Sequence, residues 1–576
     1  MITNREIAKI LFEMAAFFEM QEVEFKPRAY EGAALGIESL DEEVVTLYKT
    51  GGLKRLMEIP GVGKGIAEHL EELYKTGHFK EYEALKKKVP VRISELVAIE
   101  GVGPKMVKVL WEKLGIRNLL DLERAARAGR VRKLPHFGIK SEEKILKGIA
   151  FLKQSGGRRI MGTLLPEVRQ WEETIRAFPD VEKITVAGSI RRRKETIGDI
   201  DIVVVSSRPA KMMERFLTLP DISHVYGKGL TKMNVKLKNG LDADVRVVPP
   251  ESFGAALNYF TGSKNHNIKL REIAIKKGFK LNEYGLFRDK KMVAGKTEEE
   301  IYKRLGLEYI EPEMREDTGE IEGARLGALP KLVGYKDLKG DLQVQTDWTD
   351  GEDTIERMAE AAQECGLEYI AITDHTKSLA MTSGADEKKL LRQKEVIEKL
   401  DTKFRVQGFR ILTGAEVNIM KDGSLDIADA VLRKLDVVGA AVHSHFKLSR
   451  DEQTKRVIRA MENPHVDIIF HLTGRIINRR GPIEINIKEV IKVAKQTGTV
   501  LEINAYPDRS DLKDEYIRMC VEAGVRMAIN SDAHAAGHFK YLEHGIAQAR
   551  RGWATRRDII NAWPREKMLK FLKNRE

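Results

Sequence analysis

Apolar and polar residues follow different periodicities in successive parts of the chain. Over residues 5–19 apolar residues recur at helical spacing, which predicts a helix near the N-terminus. From about residue 184 the pattern changes to short apolar runs at 184–187, 200–205 and 242–248, which predict strands. From Gly340 onwards, strand-like runs alternate with helical stretches. This order predicts a multidomain chain with α-helical, α+β and barrel parts in succession.

Two aspartates stand at the start of the second predicted strand. Asp199 and Asp201 are two residues apart, so their side chains point to the same face, and Asp244 on a later strand is a third candidate. Carboxylates about 4 Å apart repel by about 4 kcal/mol at an effective dielectric of 20, so such a cluster needs cations. Two magnesium ions held in this way can clamp a triphosphate for in-line displacement. An Asp-x-Asp pair alone would more simply be solvated, but Gly188-Ser189 and an arginine run nearby favour the metal site.

A glycine-containing motif occurs twice near the N-terminus. Residues 59–65, Ile-Pro-Gly-Val-Gly-Lys-Gly, recur with changes at 99–105 as Ile-Glu-Gly-Val-Gly-Pro-Lys. Glycine permits positive φ and close approach of the backbone to a phosphate, while N–H groups at the start of a helix bind the anion. One copy alone would be an ordinary helix connection, but two copies predict helix-hairpin-helix motifs that hold the DNA backbone. The candidate DNA-binding residues are Gly61, Gly63, Lys64, Gly65, Gly101, Gly103 and Lys105, together with Arg246.

In the last part of the chain, histidines and carboxylates follow predicted strands. The carboxyl ends of barrel strands lie on one face, so these groups are expected to converge. A lone histidine in such a place is more often a hydrogen-bonded structural residue, but five strand ends with His, Glu or Asp favour a metal cluster. The candidate ligands are Asp350, His375, Glu416, His443, His471, Asp532 and His534.

Length, charge and cysteine content favour some classes of protein over others. A chain of 576 residues should contain several domains, and a net charge of +12 suggests a polyanionic partner, although lysine-rich surfaces also aid solubility. Two cysteines make a disulfide framework or a cysteine zinc site improbable and indicate a reducing compartment. With no apolar run of about 18 residues and no signal-peptide pattern, the sequence predicts a cytoplasmic protein that does not use a membrane, and we expect a monomer.

The motif from Gly188-Ser189 to Asp201, with Asp244, resembles the palm of the family X DNA polymerases, the DNA polymerase beta group. Residues 259–263, Tyr-Phe-Thr-Gly-Ser, and the run 278–286 resemble further motifs of that family. The resemblance implies that Asp199, Asp201 and Asp244 are catalytic and hold two Mg²⁺ or Mn²⁺ ions. The nucleotide-binding residues that it implies are Gly188, Ser189, Arg192, Gly198, Tyr259, Phe260, Gly262, Asn267 and Arg271.

The C-terminal part resembles the polymerase and histidinol phosphatase (PHP) domain, a distorted (β/α)7 barrel with up to three metals. The usual opening of that family is Asp-Leu-His-x-His-Thr, whereas this chain has Gln343 and Gln345 in place of both histidines. An amide oxygen is a poor ligand for a transition metal, so one site, left with Glu416 and Asp532, is expected to be impaired. The resemblance leaves two sites for Mn²⁺ or Zn²⁺, one with Glu416, His443 and His471 and the other with Asp350, His375 and His534.

These observations predict a DNA-directed DNA polymerase that fills short gaps during repair and uses gapped or nicked DNA and dNTPs. The PHP domain is expected either to cleave DNA, as a 3′–5′ exonuclease or abasic-site endonuclease, or to serve as a scaffold. A template-independent nucleotidyltransferase and a DNA-end-binding scaffold with weak phosphodiesterase activity are the alternatives. The expected domains are helix-hairpin-helix domains at 1–85 and 86–150, a nucleotidyltransferase palm at 151–255, a thumb-like subdomain at 256–316, a linker at 317–337 and the PHP domain at 338–576.

Overall fold

The computed structural model describes residues 4–40, 42–97, 99, 102–135, 137–154, 158–379 and 382–573. Its first part is entirely helical, and the apolar faces of these helices enclose one core. The helices are α1 Asn4–Met20, α2 Lys26–Ser39, α3 Val44–Leu56, α4 Lys64–Thr76, α5 Lys80–Lys88, α6 Ile93–Val97, α7 Pro104–Leu114, α8 Leu119–Arg127 and α9 Ile139–Gln154.

The middle of the chain forms a five-stranded sheet with helices, followed by a smaller α+β unit. The sheet has the strand order β2-β4-β7-β6-β5, in which β4 and β7 are parallel and the other neighbours antiparallel. The palm elements are β1 Arg159–Ile160, α10 Met161–Arg176, β2 Lys183–Val186, α11 Gly188–Arg191, β3 Thr196–Ile197, β4 Asp199–Val205, α12 Pro209–Phe216, β5 Ile222–Lys228, β6 Lys232–Leu237 and β7 Asp242–Val248. The smaller unit contains α13 Phe253–Thr261, α14 Lys264–Lys276, β8 Lys280–Asn282, β9 Gly285–Arg288, β10 Lys291–Ala294, α15 Glu298–Arg304 and α16 Glu320–Leu326.

Seven parallel strands in sequential order form the C-terminal barrel. Buried residues occupy nearly every strand position, because helices cover the outer face and side chains fill the interior. A bridge between Val344 and Ala533 brings the first and last strands together, so the barrel is nearly closed. The elements are β11 Gly340–Val344, α17 Ile355–Glu364, β12 Tyr369–Ile372, α18 Glu387–Arg405, β13 Arg410–Asn418, α19 Asp429–Leu432, β14 Val437–Ala441, α20 Arg450–Met461, β15 Ile468–Ile469, α21 Ile487–Thr497, β16 Val500–Asn504, α22 Asp514–Ala523, β17 Met527–Asn530, α23 Leu542–Arg551 and α24 Arg565–Lys573.

The predicted fold class is therefore confirmed in all three parts. The domain limits stay a prediction, and the interval 317–337 has more structure than the word linker suggests. It contains α16, whose Ile321 and Ala324 are buried in the core of the thumb-like unit. Glu320 on the same helix lies 2.7 Å from His266 Nδ1 of α14, and both side chains are fully buried. Within the described ranges, no helix is both long enough and apolar enough to cross a bilayer.

Candidate active sites

The palm carboxylates come together because of the register between two parallel strands. Asp201 of β4 lies opposite Asp244 of β7, and Asp199 lies opposite Asp242. All four side chains therefore project from the same face of the sheet. Asn234 of β6, which the sequence analysis did not single out, donates a hydrogen bond to Asp244 Oδ1. Asn234 is identified by its position opposite Asp244 in the antiparallel pair of β6 and β7. That pairing is not visible in the sequence.

The charge of this cluster is not balanced by the protein alone. Burial, followed by the neighbouring charges of Asp199 and Asp244, raises the pKa of Asp201 to about 7. Burial also raises the pKa of Asp244, against the opposing effect of Lys232. Carboxylates held in this state are suited to bind divalent cations, which would restore the ionised form. The donor set thus fits metal ions, although the oxygens of these three aspartates are not among the described groups whose ligand atoms all lie within 4.8 Å.

Gly188 allows the turn of chain between β2 and β4 to pass close to the carboxylates. Residues 188–191 form one turn of helix, α11. Gly188 has a φ of +61°, and a Cβ at this position would lie 2.1 Å from Asp201 Oδ2. The next residue, Ser189, has a buried hydroxyl with no hydrogen-bond partner among the described residues. An unpartnered hydroxyl is costly when buried, so it is available to a ligand.

A pocket of about 740 Å³ adjoins these residues and contains most of the predicted nucleotide-binding residues. We call it the palm pocket. Its lining includes two of the aspartates and eight of the nine nucleotide-binding candidates, namely Asp199, Asp201, Gly188, Ser189, Arg192, Tyr259, Phe260, Gly262, Asn267 and Arg271. Asp244 and Gly198 are not part of this lining.

The side chains of the palm pocket are held by contacts with neighbouring residues. Arg192 Nε donates to Glu316 Oε1 at 3.0 Å, and the same guanidinium donates to the carbonyl oxygen of Thr261. Asn267 Nδ2 donates to the carbonyl oxygen of Tyr259 at 2.7 Å, and Asn267 Oδ1 is buried with no partner in the part of the chain that the structure describes. The rings of Tyr259 and Phe260 meet edge to face at 5.2 Å. Arg246, predicted to contact DNA, has its Cζ 5.3 Å from the centre of the Phe260 ring.

The two glycine motifs have the same backbone geometry at the start of a helix. Gly63 (φ −80°, ψ 172°) precedes α4, and Gly103 (φ −85°, ψ 171°) precedes α7. Lys64 and Lys105 are both exposed next to these glycines, and Gly65 follows within α4 with open space at its Cβ position. Gly61 packs closely against α2, since a Cβ there would lie 2.4 Å from the backbone of that helix. Gly101 lies outside the described residues.

Among the described residues of the barrel, two groups have ligand atoms that all lie within 4.8 Å of one another. One group is Asp350, His375 and His534, and the other is His375, Glu416 and His443. His375 thus belongs to both groups: its Nε2 lies 3.7 Å from Asp350 and its Nδ1 lies 3.7 Å from Glu416. The sequence analysis instead assigned His471 to the second group. His471 Nε2 lies 2.9 Å from Glu416 Oε1, but His471 is not a member of either group. Glu416 lies within β13 rather than after its end.

The free ring nitrogens of the second group are better placed to bind a metal ion than to make hydrogen bonds within the protein. His443 Nδ1 pairs with Asn418 Oδ1 at 2.8 Å, which turns Nε2 towards Glu416 at 3.0 Å. Neither His443 Nε2 nor His375 Nδ1 makes a hydrogen bond to any residue that the structure describes, although both atoms are buried. Fixing one nitrogen by a hydrogen bond and leaving the other free is the usual arrangement of a metal-ligating histidine. The imidazoles around Glu416 hold the pKa of its carboxyl well below the usual range, although burial acts in the opposite direction.

The third position does not fit a metal ion. Gln343 Nε2 and Gln345 Nε2 both donate to Glu416 Oε2, at 2.9 and 2.8 Å, so the amides use an oxygen that a metal would need. Beside them, Asp532 Oδ2 accepts a hydrogen bond from Asn504 at 3.1 Å and lies 3.3 Å from Arg509 Nε. The guanidinium of Arg509 therefore supplies positive charge next to Asp532. Arg509 could not be found from the sequence, because no local pattern links it to Asp532, which lies 23 residues further along the chain.

Comparison with known proteins agrees with this architecture. Family models match residues 2–79 (helix-hairpin-helix domain), 93–150 (SAM-like helix-hairpin-helix tandem), 256–316 (DNA polymerase beta thumb) and 341–561 (PHP domain). The chain is 35% identical over 578 residues, and over the whole of both chains, to the DNA polymerase/3′-5′ exonuclease PolX of Bacillus subtilis.

Two further relatives each resemble one part of the chain. DNA polymerase lambda of Rattus norvegicus is 26% identical over 344 residues, covering 54% of this chain and 56% of that protein. A probable phosphatase of Thermoanaerobacter sp. (strain X514) is 32% identical over 218 residues, covering 36% of this chain and 83% of that protein. The full-length relationship decides the assignment: the chain belongs to the family X DNA polymerases that carry a C-terminal PHP domain.

Proposed function

We propose that this protein is a DNA-directed DNA polymerase that fills short gaps in duplex DNA, acting as a monomer in the cytoplasm. The observation that supports this best is the palm pocket, which combines paired carboxylates with phosphate-binding donors and an aromatic wall. The full-length relative is named for polymerase and 3′–5′ exonuclease activities.

Asp199, Asp201 and Asp244 would hold two Mg²⁺ or Mn²⁺ ions. When bound, these ions would neutralise the charge that develops on the transferring phosphate. The primer 3′-oxygen forms a bond to the α-phosphorus of the dNTP, the bond to the bridging oxygen breaks, and pyrophosphate leaves. The hydroxyl proton passes to the Asp244 carboxylate, which lies opposite Asp201 in the register of the two parallel strands.

The rest of the palm pocket would position the nucleotide. Ser189 donates its unpartnered hydroxyl to a phosphate, and Arg192 exchanges Glu316 and Thr261 for phosphate oxygens. Tyr259 and Phe260 pack against the sugar and base, while Asn267 and Arg271 contact base edges. Gly262 ends α13 with a φ of +72° and lets Arg192 approach, since a Cβ there would lie 3.0 Å from Arg192 Nη1. This positioning accounts for much of the catalysis expected of such a site.

The two glycine motifs would bind the DNA backbone on either side of the gap. Each offers backbone N–H groups at the start of a helix with an exposed lysine next to it, at Lys64 and Lys105. These contacts do not read sequence, which suits an enzyme that acts at gaps wherever they occur.

For the barrel we propose cleavage of DNA phosphodiesters with two bound Mn²⁺ or Zn²⁺ ions. Asp350, His375 and His534 would hold one ion, and Glu416 and His443 the other with His375 or His471. An ion of this kind activates water and neutralises the phosphate. A barrel that serves only as a scaffold is the competing proposal, and the amides of Gln343 and Gln345 are the observation in its favour.

One experiment tests both parts. A labelled primer on a gapped duplex with a 5′-phosphate is incubated with Mg²⁺ or Mn²⁺, with and without dNTPs. The wild type should extend the primer with the base that matches the template, and Asp199→Ala should not. The matched control is Asp242→Asn, which removes the register partner of Asp199 from the same face of the sheet and should retain extension.

The barrel is read in the lanes without dNTPs. Primer shortening by Asp199→Ala that disappears on adding His375→Ala assigns cleavage to the barrel. His445→Asn is the control, because His445 is an exposed residue of the same loop as His443 and has a φ of +55°, which asparagine tolerates. Extension without regard to the template would favour the nucleotidyltransferase, and no change in any lane would favour the scaffold.

A further inference from the structure

The wall of the palm pocket is not made by the polymerase part alone. Lys513, Asp514 and Glu515, at the start of barrel helix α22, line the same pocket as the palm residues, and so do Gln548 and Arg551 of barrel helix α23. None of these residues belongs to a motif of the palm. The barrel therefore contributes one side of the cavity in which the nucleotide would bind.

Arg551 fixes the barrel against the palm at this point. Its side chain is only 2% exposed. Nη1 donates to the carbonyl oxygen of Arg192 at 2.8 Å and to Glu316 Oε1 at 3.1 Å, while Nη2 donates to the carboxylate of Asp514. The planar guanidinium holds these partners in a set geometry that an ammonium group does not reproduce. These contacts fix the position of the first turn of α22 relative to Arg192.

Lys513 is the cation that this arrangement presents to the cavity. Its Nζ lies 3.7 Å from Glu515 Oε1, with side-chain exposures of 39% and 61%. An exposed pair of this kind contributes about 0–1 kcal/mol, so a phosphate can displace Glu515 at little cost. The hydroxyl of Ser189, which has no partner among the described residues, belongs to the same lining. The whole lining contains seven Lys or Arg and five Asp or Glu side chains, and with two divalent ions added it would favour a polyphosphate.

We infer that the barrel completes the polyphosphate site of the polymerase: Lys513 contacts the β- or γ-phosphate of the nucleotide, and Arg551 acts as a positioning residue. This inference deepens the proposed function and rests on it. It implies that the barrel serves nucleotide binding independently of any cleavage that it performs.

The test measures binding separately from polymerisation. Inorganic triphosphate with Mg²⁺ is titrated into the full-length protein and followed by calorimetry. Lys513→Ala should weaken binding about tenfold, as expected for loss of one hydrogen bond to a charged group. Arg551→Lys should also weaken binding, because an ammonium group cannot keep all the contacts of the guanidinium. Lys488→Ala, an exposed lysine of barrel helix α21, is the charge-matched control and should bind as the wild type does.

Steady-state extension of the gapped primer gives the second readout. Lys513→Ala and Arg551→Lys should raise the KM for dTTP while leaving kcat close to that of the wild type. Triphosphate binding by Lys513→Ala that equals the wild-type value overturns the inference, and so does a wild type that does not bind triphosphate. A wild type that binds triphosphate through Lys513 but does not extend a primer refutes the polymerase proposal and leaves the barrel's anion site standing.

Discussion

At the scale of single residues, Gly188 and Gly198 of the palm motif differ in the space around them. A Cβ on Gly188 would collide with Asp201 Oδ2 at 2.1 Å, and its φ of +61° disfavours other residues. A Cβ on Gly198 would find Arg158 Nη1 at 3.3 Å as its nearest neighbour, the end of a flexible side chain. The sequence alone does not distinguish the two glycines. They differ in how close the nearest atoms lie to a Cβ at each position.

We therefore expect Gly188→Ala to lower kcat for primer extension by about 100-fold, since displacement of a catalytic group by about 1 Å can have that effect. Gly198→Ala should remain close to the wild type. Steady-state extension on the gapped duplex measures both, with a thermal melt to verify that each variant is folded. Equal activity of the two alanine variants would contradict the idea that the Gly188 backbone positions Asp201.

At the scale of elements, a buried ion network joins the one-turn helix α11 of the palm to α15 of the thumb-like unit. Arg191 makes two hydrogen bonds to Glu298, at 3.0 and 2.6 Å, and Arg315 donates to the same carboxylate at 2.5 Å. Glu298 is 4% exposed and Arg315 is fully buried. Burial opposes ionisation, but the charges of Arg315 and Arg191 prevail and lower the pKa of Glu298 to about 2.

Glu298→Gln should therefore destabilise the protein by about 3–5 kcal/mol at pH 7, as is usual when one partner of a buried pair is removed. Because the folded-state pKa is depressed, this stabilisation is complete above the unfolded pKa near 4.5 and is lost as the pH falls towards 2. Melting temperatures measured at a series of pH values should show the wild type and Glu298→Gln converging below pH 4.5. The control is Glu299→Gln, an exposed neighbour on α15, which should change the stability by less than about 0.5 kcal/mol. A constant gap across the pH series would assign the loss to packing instead of charge.

Elements were largely predictable from the sequence, because periodicity reports on the local backbone. The strand expected at 200–205 is β4, and the barrel strands lie where apolar runs precede polar residues. Predictions failed where tertiary contacts decide the structure. Residues 311–329 have little periodicity, yet α16 forms there because Glu320 is buried against His266 and its apolar neighbours join the thumb core. The sharing of His375 between two candidate metal groups likewise depends on side-chain geometry that spacing does not encode.

At the scale of the whole molecule, the polymerase and barrel parts meet through charged contacts across long stretches of sequence. Arg475 Nη2 of the barrel donates to Glu195 of the palm at 2.6 Å, although the two residues are 280 positions apart. Arg169 and Arg193 of the palm both lie within 3 Å of Glu543 on α23. Contacts of this kind cannot be predicted from one sequence, because nothing in the local pattern of either partner refers to the other. They explain why the barrel reaches the palm pocket.

The net charge of +12 also acts at this scale, through binding to DNA. Each phosphate contact by a lysine releases condensed counterions, so it adds about 0.9 to the slope of log affinity against log salt concentration on duplex DNA. Lys64→Ala and Lys105→Ala should each reduce that slope by about 0.9, and the double variant by about 1.8, because each lysine lies beside a separate hairpin. Fluorescence anisotropy of a labelled gapped duplex over a series of salt concentrations measures the slope. Lys488→Ala removes the same charge from the barrel and should leave the slope unchanged. If all three single variants reduced the slope equally, DNA binding would depend on the overall charge of the molecule, and the two hairpins would have no special part in it.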